Sequence, residues 1–269
     1  MFEHVLVLIR GAGDLATGVA ARLHRAGFPL AMTEVQHPTV IRRTVALAEA
    51  VFEGQAQVED LVARRAEAPD VVKGLIVEGT IPVLVDPELR HLRALGPQVL
   101  VDATLAKRNL GLSLSLAPLV VGVGPGFTAG KDVHAVIESQ RGHFLGRVYW
   151  RGSALPDTGT PGPIAGFSTE RVVRAPATGI FRGERAIGDS VQAGQRLGRV
   201  DAEPVLAPIS GVLRGLLHDG LRVRTGMKIG DVDPRDVPDH CWTISDKALA
   251  IGGGVLEAVL SWLHHCTPR

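Results

Sequence analysis

The 269-residue chain has almost no cysteine, little lysine, no surplus of either charge and no long hydrophobic run near its start. Two cysteines, Cys241 and Cys266, allow at most one bridge. They cannot build a Cys-rich zinc site or an iron–sulfur cluster, and a reducing cytoplasm is the expected compartment. Lys and Arg total 29 against 28 Asp and Glu, a net charge of +1, which gives no long-range field toward nucleic acid or an anionic membrane. Met1-Phe2-Glu3-His4 carries no basic stretch, and Val5 to Ile9 is too short for a signal or a span, so neither nucleic acid nor membrane is an expected partner. Lysine occurs only at positions 73, 107, 131, 228 and 247, so nearly all the positive charge is arginine.

What is present is glycine, alanine and short apolar runs. The length suits one large α/β domain or two unequal ones. Val5 to Ile9 reads as a strand buried on both faces, and residues 14–26 as the helix that follows, stopped by Gly27. Leu30 to Val35 reads as a second strand and Val40 to Val51 as a second helix. Further strands are expected at 74–77, 81–85, 99–101 and 118–123, with helical stretches around 57–68 and 86–95. This pattern predicts an α/β fold with a Rossmann-like, mostly parallel sheet over residues 1–165. The Gly/Pro/Ser/Thr-rich stretch from Gly152 to Gly166 marks its end.

Residues 166–238 contain a repeat. Ala175-Pro-Ala-Thr-Gly179-Ile-Phe-Arg-Gly183 aligns with Ala207-Pro-Ile-Ser-Gly211-Val-Leu-Arg-Gly215 at an offset of 32, and glycines 188, 194 and 198 match 220, 226 and 230. Two copies are too few for a solenoid and predict a small, pseudo-symmetric all-β sandwich. Residues 239–269 read as a tail with a C-terminal helix, an apolar stripe from Ala248 to Leu263 interrupted by Gly252-Gly253-Gly254.

Gly11-Ala-Gly13-Asp14-Leu15-Ala16, directly after a strand, fits the glycine turn that lets a phosphate approach a helix N-terminus, with Thr17 next in line. Glu34, 21 residues beyond Gly13, stands where an acid would accept hydrogen bonds from ribose hydroxyls. Asp14 is a first-turn acid that must point away from a pyrophosphate or cap the helix. Gly122 to Asp132 is not a Walker A loop, because Pro125 stands where the first glycine belongs and Asp132 where Ser or Thr belongs. Gly124, Gly126 and Lys131 are instead expected to wall the same cleft. Asp102 to Asn109 clusters polar groups after another strand and either contacts a ligand or caps the next element. Asp132, His134, Glu138 and His143 read as a solvated helix face, so no metal centre is expected. Cys241 is the candidate reactive thiol, with Lys247 as the base that would lower its pKa and Ser245-Asp246 as the intervening helix cap.

The repeat resembles the two halves of a biotinyl/lipoyl-type barrel-sandwich hybrid domain. The joining stretch Asp201-Ala-Glu-Pro-Val-Leu206 has no lysine, so no biotin or lipoate is expected. The whole chain resembles the YqeB-type accessory proteins of selenium-dependent molybdenum hydroxylase systems. The residues that carry this are Arg10 to Gly18, Gln36 to Arg43, Val101 to Lys107, Gly124 to His134, Arg141-Gly-His143, Asp157 to Gly162 and Ile244 to Gly254. The first half is similar to the Rossmann part of XdhC-type factors. The resemblance implies a maturation factor for a xanthine dehydrogenase-like hydroxylase. Such a factor binds a molybdopterin dinucleotide or related nucleotide and partners the hydroxylase apoprotein. An NAD(P)-linked oxidoreductase and a non-catalytic docking scaffold are the alternatives, and edge strands of the β-domain make a homodimer the expected assembly.

Overall fold

A run of β-branched and aliphatic residues with no polar break can satisfy its backbone only inside a sheet that is covered on both faces. Val7–Arg10 (β1) is such a strand, buried at every position. The structure, a computed structural model, describes residues 2–159, 162 and 164–266. Thr160 and Pro161 of the Asp157–Gly162 motif therefore lie outside the described residues. The chain divides into two units, Met1–Pro38 with Leu47–Asp157 and Ile244–Arg269, and Thr39–Ala46 with Thr158–Thr243.

The first unit is built on a nine-stranded sheet. After β1 come Leu30–Glu34 (β2), Gln55–Val58 (β3), Leu61–Ala66 (β4), Ile81–Val85 (β5), Val99–Asp102 (β6), Leu119–Val123 (β7), Ala135–Ile137 (β8) and Val148–Tyr149 (β9). Their order is β3-β4-β5-β2-β1-β6-β7-β8-β9. All neighbours from β4 to β8 are parallel, and only the edge strands β3 and β9 run antiparallel. The chain leaves β1 toward β2 and returns to its other side as β6, so the order reverses between β1 and β6. The helices are Asp14–Arg25 (α1), Ala50–Glu53 (α2), Val72–Val77 (α3), Leu92–Leu95 (α4) and Asp246–Cys266 (α5).

Helix α5 is not part of a separate tail. It lies on α1, where Gly18 is so close that a Cβ would stand 2.5 Å from the Ala248 backbone, and a Cβ on Gly252 would strike the Gly18 carbonyl. Ser245 caps it, its Oγ accepting the Ala248 N–H at 3.2 Å.

Four local expectations fail. Residues 40–51 form two 3₁₀ turns, Arg43–Val45 and Leu47–Glu49, leading into α2. Residues 55–66 form the β3/β4 hairpin, in which Leu61, Ala63 and Ala66 are buried between more exposed neighbours and Glu59 takes a left-handed turn conformation. Residues 74–77 belong to α3, with Val77 88% exposed instead of buried in a strand. Between 86 and 95 only Leu92–Leu95 is helical.

In the second unit the repeat is visible strand by strand. The first copy supplies Val172–Arg174 (β10), Gly179–Gly183 (β11), Ser190–Val191 (β12) and Arg196–Val200 (β13). The second supplies Glu203–Leu206 (β14), Gly211–Leu216 (β15), Arg222–Val223 (β16) and Lys228–Asp233 (β17). The two antiparallel sheets are β10-β17-β15-β12 and β14-β13-β11-β16. Exchanging each strand for its mate in the other copy converts one order into the other, so neither copy forms a sheet alone. Phe181, Leu197, Val200, Leu213, Ile229 and Val232 fill the interior.

Segment Thr39–Ala46 is stitched to β15 of this unit. The Leu216 N–H donates to the Ile41 carbonyl at 2.8 Å, and Arg43 Nε donates to the Leu216 carbonyl at 2.8 Å. Arg42 Nη2 reaches the His240 carbonyl at 3.0 Å, in the turn Pro238–Cys241.

Candidate functional site

In an open parallel sheet, ligands bind beyond the carboxyl ends of the strands where the order reverses. Here that place lies between the loops that follow β1 and β6. Gly11 has φ +93°, and a Cβ on it would stand 3.3 Å from the Ala103 carbonyl carbon and the Thr104 nitrogen, so the two loops meet through a position only glycine fills. The loop after β7 closes on the same edge: a Cβ on Gly124 would reach Ser139 Oγ at 2.6 Å, and one on Gly126 would reach the Arg108 nitrogen at 2.6 Å.

The floor is polar and fully engaged. Arg10 ends β1, and its Nη1 pairs with Asp102 Oδ2 at 3.2 Å while Nε and Nη2 donate to the Pro87 carbonyl. Asp102 Oδ1 accepts the Thr104 N–H at 3.0 Å and its hydroxyl at 2.6 Å. Asp102 is wholly buried, so this pair ties β1, β6 and the segment after β5 together and leaves no spare charge.

Glu34 holds the glycine loop. Its Oε2 accepts the Ala12 N–H at 2.8 Å and its Oε1 the Val35 N–H at 2.8 Å. Burial pushes its carboxyl above the usual range, against these two donors. The expected contact to ribose hydroxyls is thus replaced by a contact to the loop itself. Thr17 is also internal. Its hydroxyl donates to the Gly13 carbonyl at 3.0 Å and accepts the Leu47 N–H at 3.0 Å, so it serves the helix start and faces no ligand. Ala16 is buried against the core, and Gly13 is the extended N-cap residue of α1, with Asp14 in its first turn.

Lys247, in the first turn of α5, stands in this region. Burial, then the charge of Arg141, push its ammonium below the ordinary lysine range, with Lys107 adding to this and Asp14 and Glu138 opposing it. Lys107 pairs with Asp157 at 3.0 Å, and Arg141 makes a two-pronged pair with Asp246 at 2.7 and 2.9 Å. Glu138, fully buried, spends both oxygens on the Gln140 and Leu155 N–H groups, at 2.7 and 2.8 Å. Arg10 and Arg141 are the site residues that spacing alone does not single out. Both sit in the segments that carry the family resemblance, which is the signal that could have found them.

Two expectations are corrected. Lys131 is not at the cleft: the chain after Phe127 turns back, His134 pairs with Val120 near the start of β7, and Lys131 lies in the Thr128–Val133 turn at the opposite sheet edge. Cys241 belongs to the second unit, is 1% exposed, and its thiol is pushed up by burial despite the charges of Arg214 and Arg42. A transfer nucleophile needs an accessible thiolate, and this one is neither.

The acid–histidine group also dissolves. His134 and Glu138 flank strand β8 instead of sharing a helix face, and His134 Nδ1 accepts the Val120 N–H at 2.9 Å, while burial holds its imidazole below the usual range. Asp132 Oδ2 accepts the Thr128 N–H at 2.9 Å.

No family model matches the chain. A curated relative does. The chain is 52% identical over 261 residues to the uncharacterized protein YqeB of Escherichia coli (strain K12). The match covers 97% of this chain and 48% of the relative, so the chain spans about half the relative's length. Among solved structures, an aspartoacylase family protein from Mesorhizobium loti matches at 9% identity over 85% of this chain and 84% of that one, with a TM-score of 0.26. A succinylglutamate desuccinylase from Silicibacter sp. TM1040 matches at 13% identity over 86% and 85%, with a TM-score of 0.25. Likenesses this low bear on neither fold nor activity. The molecule is a mixed α/β protein with a large, mostly parallel sheet, additional antiparallel sheets and a C-terminal helix. Among the described residues no helix is long and apolar enough to cross a membrane.

Proposed function

We propose that this chain is a maturation factor for a selenium-dependent, xanthine dehydrogenase-like molybdenum hydroxylase. In this reading it binds a molybdopterin dinucleotide, or a related nucleotide, at the carboxyl edge of a Rossmann-like sheet. The observation that carries the reading is the set Lys107, Arg141 and Lys247 gathered near the loop after β6, against which the Gly11 and Gly124 loops both close. The second unit, with its strand-exchanged copies, is read as a barrel-sandwich hybrid that has no lysine in its joining hairpin to modify.

The donor set fits phosphate. Lys247 is a half-buried cation whose charged form burial disfavours, and a phosphate would restore it. Lys107 and Arg141 are held by exposed partners, with Asp157 and Asp246 side chains 42% and 71% exposed. Such pairs contribute about 0–1 kcal/mol, so a charge-dense phosphate can draw either cation away. The pterin, when bound, would supply the metal-binding dithiolene; this chain's residues would hold its phosphates. The oxidoreductase alternative loses support because Glu34, the ribose-reading candidate, is committed to Ala12 and Val35. A reactive role for the Cys241 thiol loses support with its burial.

Native mass spectrometry of freshly purified protein is the first test, with a co-purifying pterin dinucleotide expected. Calorimetry with GDP and CDP as probes is the second. Lys247→Met should weaken binding about tenfold, as expected for one charge-assisted contact. In the native chain, affinity should fall as pH rises through a value below the ordinary lysine range, because the neutral amine no longer attracts phosphate. Unchanged affinity in the variant, or retention of NAD instead of a pterin, would exclude this reading.

A further inference from the structure

The two sheets of the second unit differ in what lies on their outward faces. On β14-β13-β11-β16 that face carries Arg196 and Arg199 of β13, Arg182 of β11 and Arg222 of β16, all exposed. Arg182 and Arg199 are directly opposite each other across the β11/β13 ladder. Like charges in that relation are destabilising. Relief is partial: Glu184 pairs with Arg196 at 2.6 Å and reaches Arg199 at 4.0 Å. Among the described residues Arg182 and Arg222 have no ion-pair partner. Glu203 is the one acid within the four strands, and Leu206, opposite Arg196, is 49% exposed.

We propose that this face docks an acidic, carboxylate-rich segment of a protein partner. Planar guanidiniums spaced along neighbouring strands match the bidentate geometry of carboxylates, and the exposed Leu206 offers an apolar contact at the margin. A nucleic acid fits less well. Phe181 is the one aromatic residue in these strands and is fully buried, so no ring is available to stack a base. The net charge of +1 also gives no wider field for a polyanion. The inference does not depend on the nucleotide reading, since none of these residues belongs to the cleft.

The test uses the full chain and a fluorescein-labelled peptide of alternating glutamate and threonine, followed by anisotropy at low salt. Binding should weaken about tenfold or more in Arg182→Glu/Arg199→Glu. It should stay within about twofold in Arg174→Glu, a control on the other sheet. Should the double reversal unfold the chain by circular dichroism, Arg182→Gln/Arg199→Gln removes the same charges without adding new ones and carries the same expectation. Absence of peptide binding, or equal loss in the Arg174 control, overturns the proposal. So does tighter binding of a single-stranded DNA of equal charge that is lost in the same double variant.

Discussion

The same repeat unit was built twice, and the two copies of one corner were finished in opposite ways. In the first copy Arg182 faces Arg199, both exposed. Their mates at the 32-residue offset are Arg214 and Asp231, both buried. There a bulge between Leu213 and Gly215 displaces the ladder, and Arg214 pairs with Asp233 at 3.4 Å while Asp231 pairs with Arg171. The Thr39–Ala46 segment and the Pro238–Cys241 turn cover this second corner. Covering a charge demands that it be neutralised locally, whereas water screens an open one. An internal repeat therefore predicts backbone far better than it predicts chemistry.

The largest effect that would break this contrast is expected at Asp233. Asp233→Ala leaves Arg214 and Arg235 without their shared carboxylate and should cost about 3–5 kcal/mol, read as a fall in the urea midpoint. Asp201→Ala, at the equivalent exposed place, removes one hydrogen bond to the Ile180 N–H and should cost about 1 kcal/mol. Equal losses would mean that the cover does not matter.

Cys241 gives a kinetic version of the same comparison. Its sulfur lies 3.9 Å from the Leu213 carbonyl, under the cover, while Cys266 is exposed. Alkylation of Cys241 should be at least about a hundredfold slower than that of Cys266 in the folded chain and should match it in urea.

Acid titration gives a smaller effect. Burial pushes the Asp233 carboxyl up, but hydrogen bonds from Arg235 and the charges of Arg235 and Arg214 outweigh it and hold the group below the usual range. The stability this contributes is present in full above the unfolded value of about 3.9 and is lost as pH falls through the lower folded value. Asp233→Asn should flatten that part of the acid limb.

The smallest effect has the opposite sign. Arg182→Thr removes the like-charge opposition at an exposed strand position and should stabilise the chain by about 0.2–1 kcal/mol, seen as a small rise in Tm.

The sequence made the central strands legible, since β1, β2, β5, β6 and β7 are short apolar runs that only a covered sheet accommodates. It also made the repeat legible, because glycines at fixed turns survive where side chains have diverged. The crossing of α1 and α5 was not legible, because Gly18 and Gly252 act by lacking a side chain and leave no pattern. The place of Lys131 is not legible, because a loop that doubles back has no periodicity to reveal it. Cys241 and Lys247 lie six residues apart in sequence, but the chain passes from one unit to the other between Thr243 and Ile244.

The way the chain crosses between units bears on how it is made. Arg22 donates to the Leu249 carbonyl across 227 residues, and Arg42 meets the His240 carbonyl across 198. On a ribosome α1 must wait for α5, and the Thr39–Ala46 segment for the Pro238–Cys241 turn, before either contact can form. Neither unit can close until its distant segment has been made. Closure over such separations is slow, and the N-terminal surfaces stay exposed until their distant partners arrive.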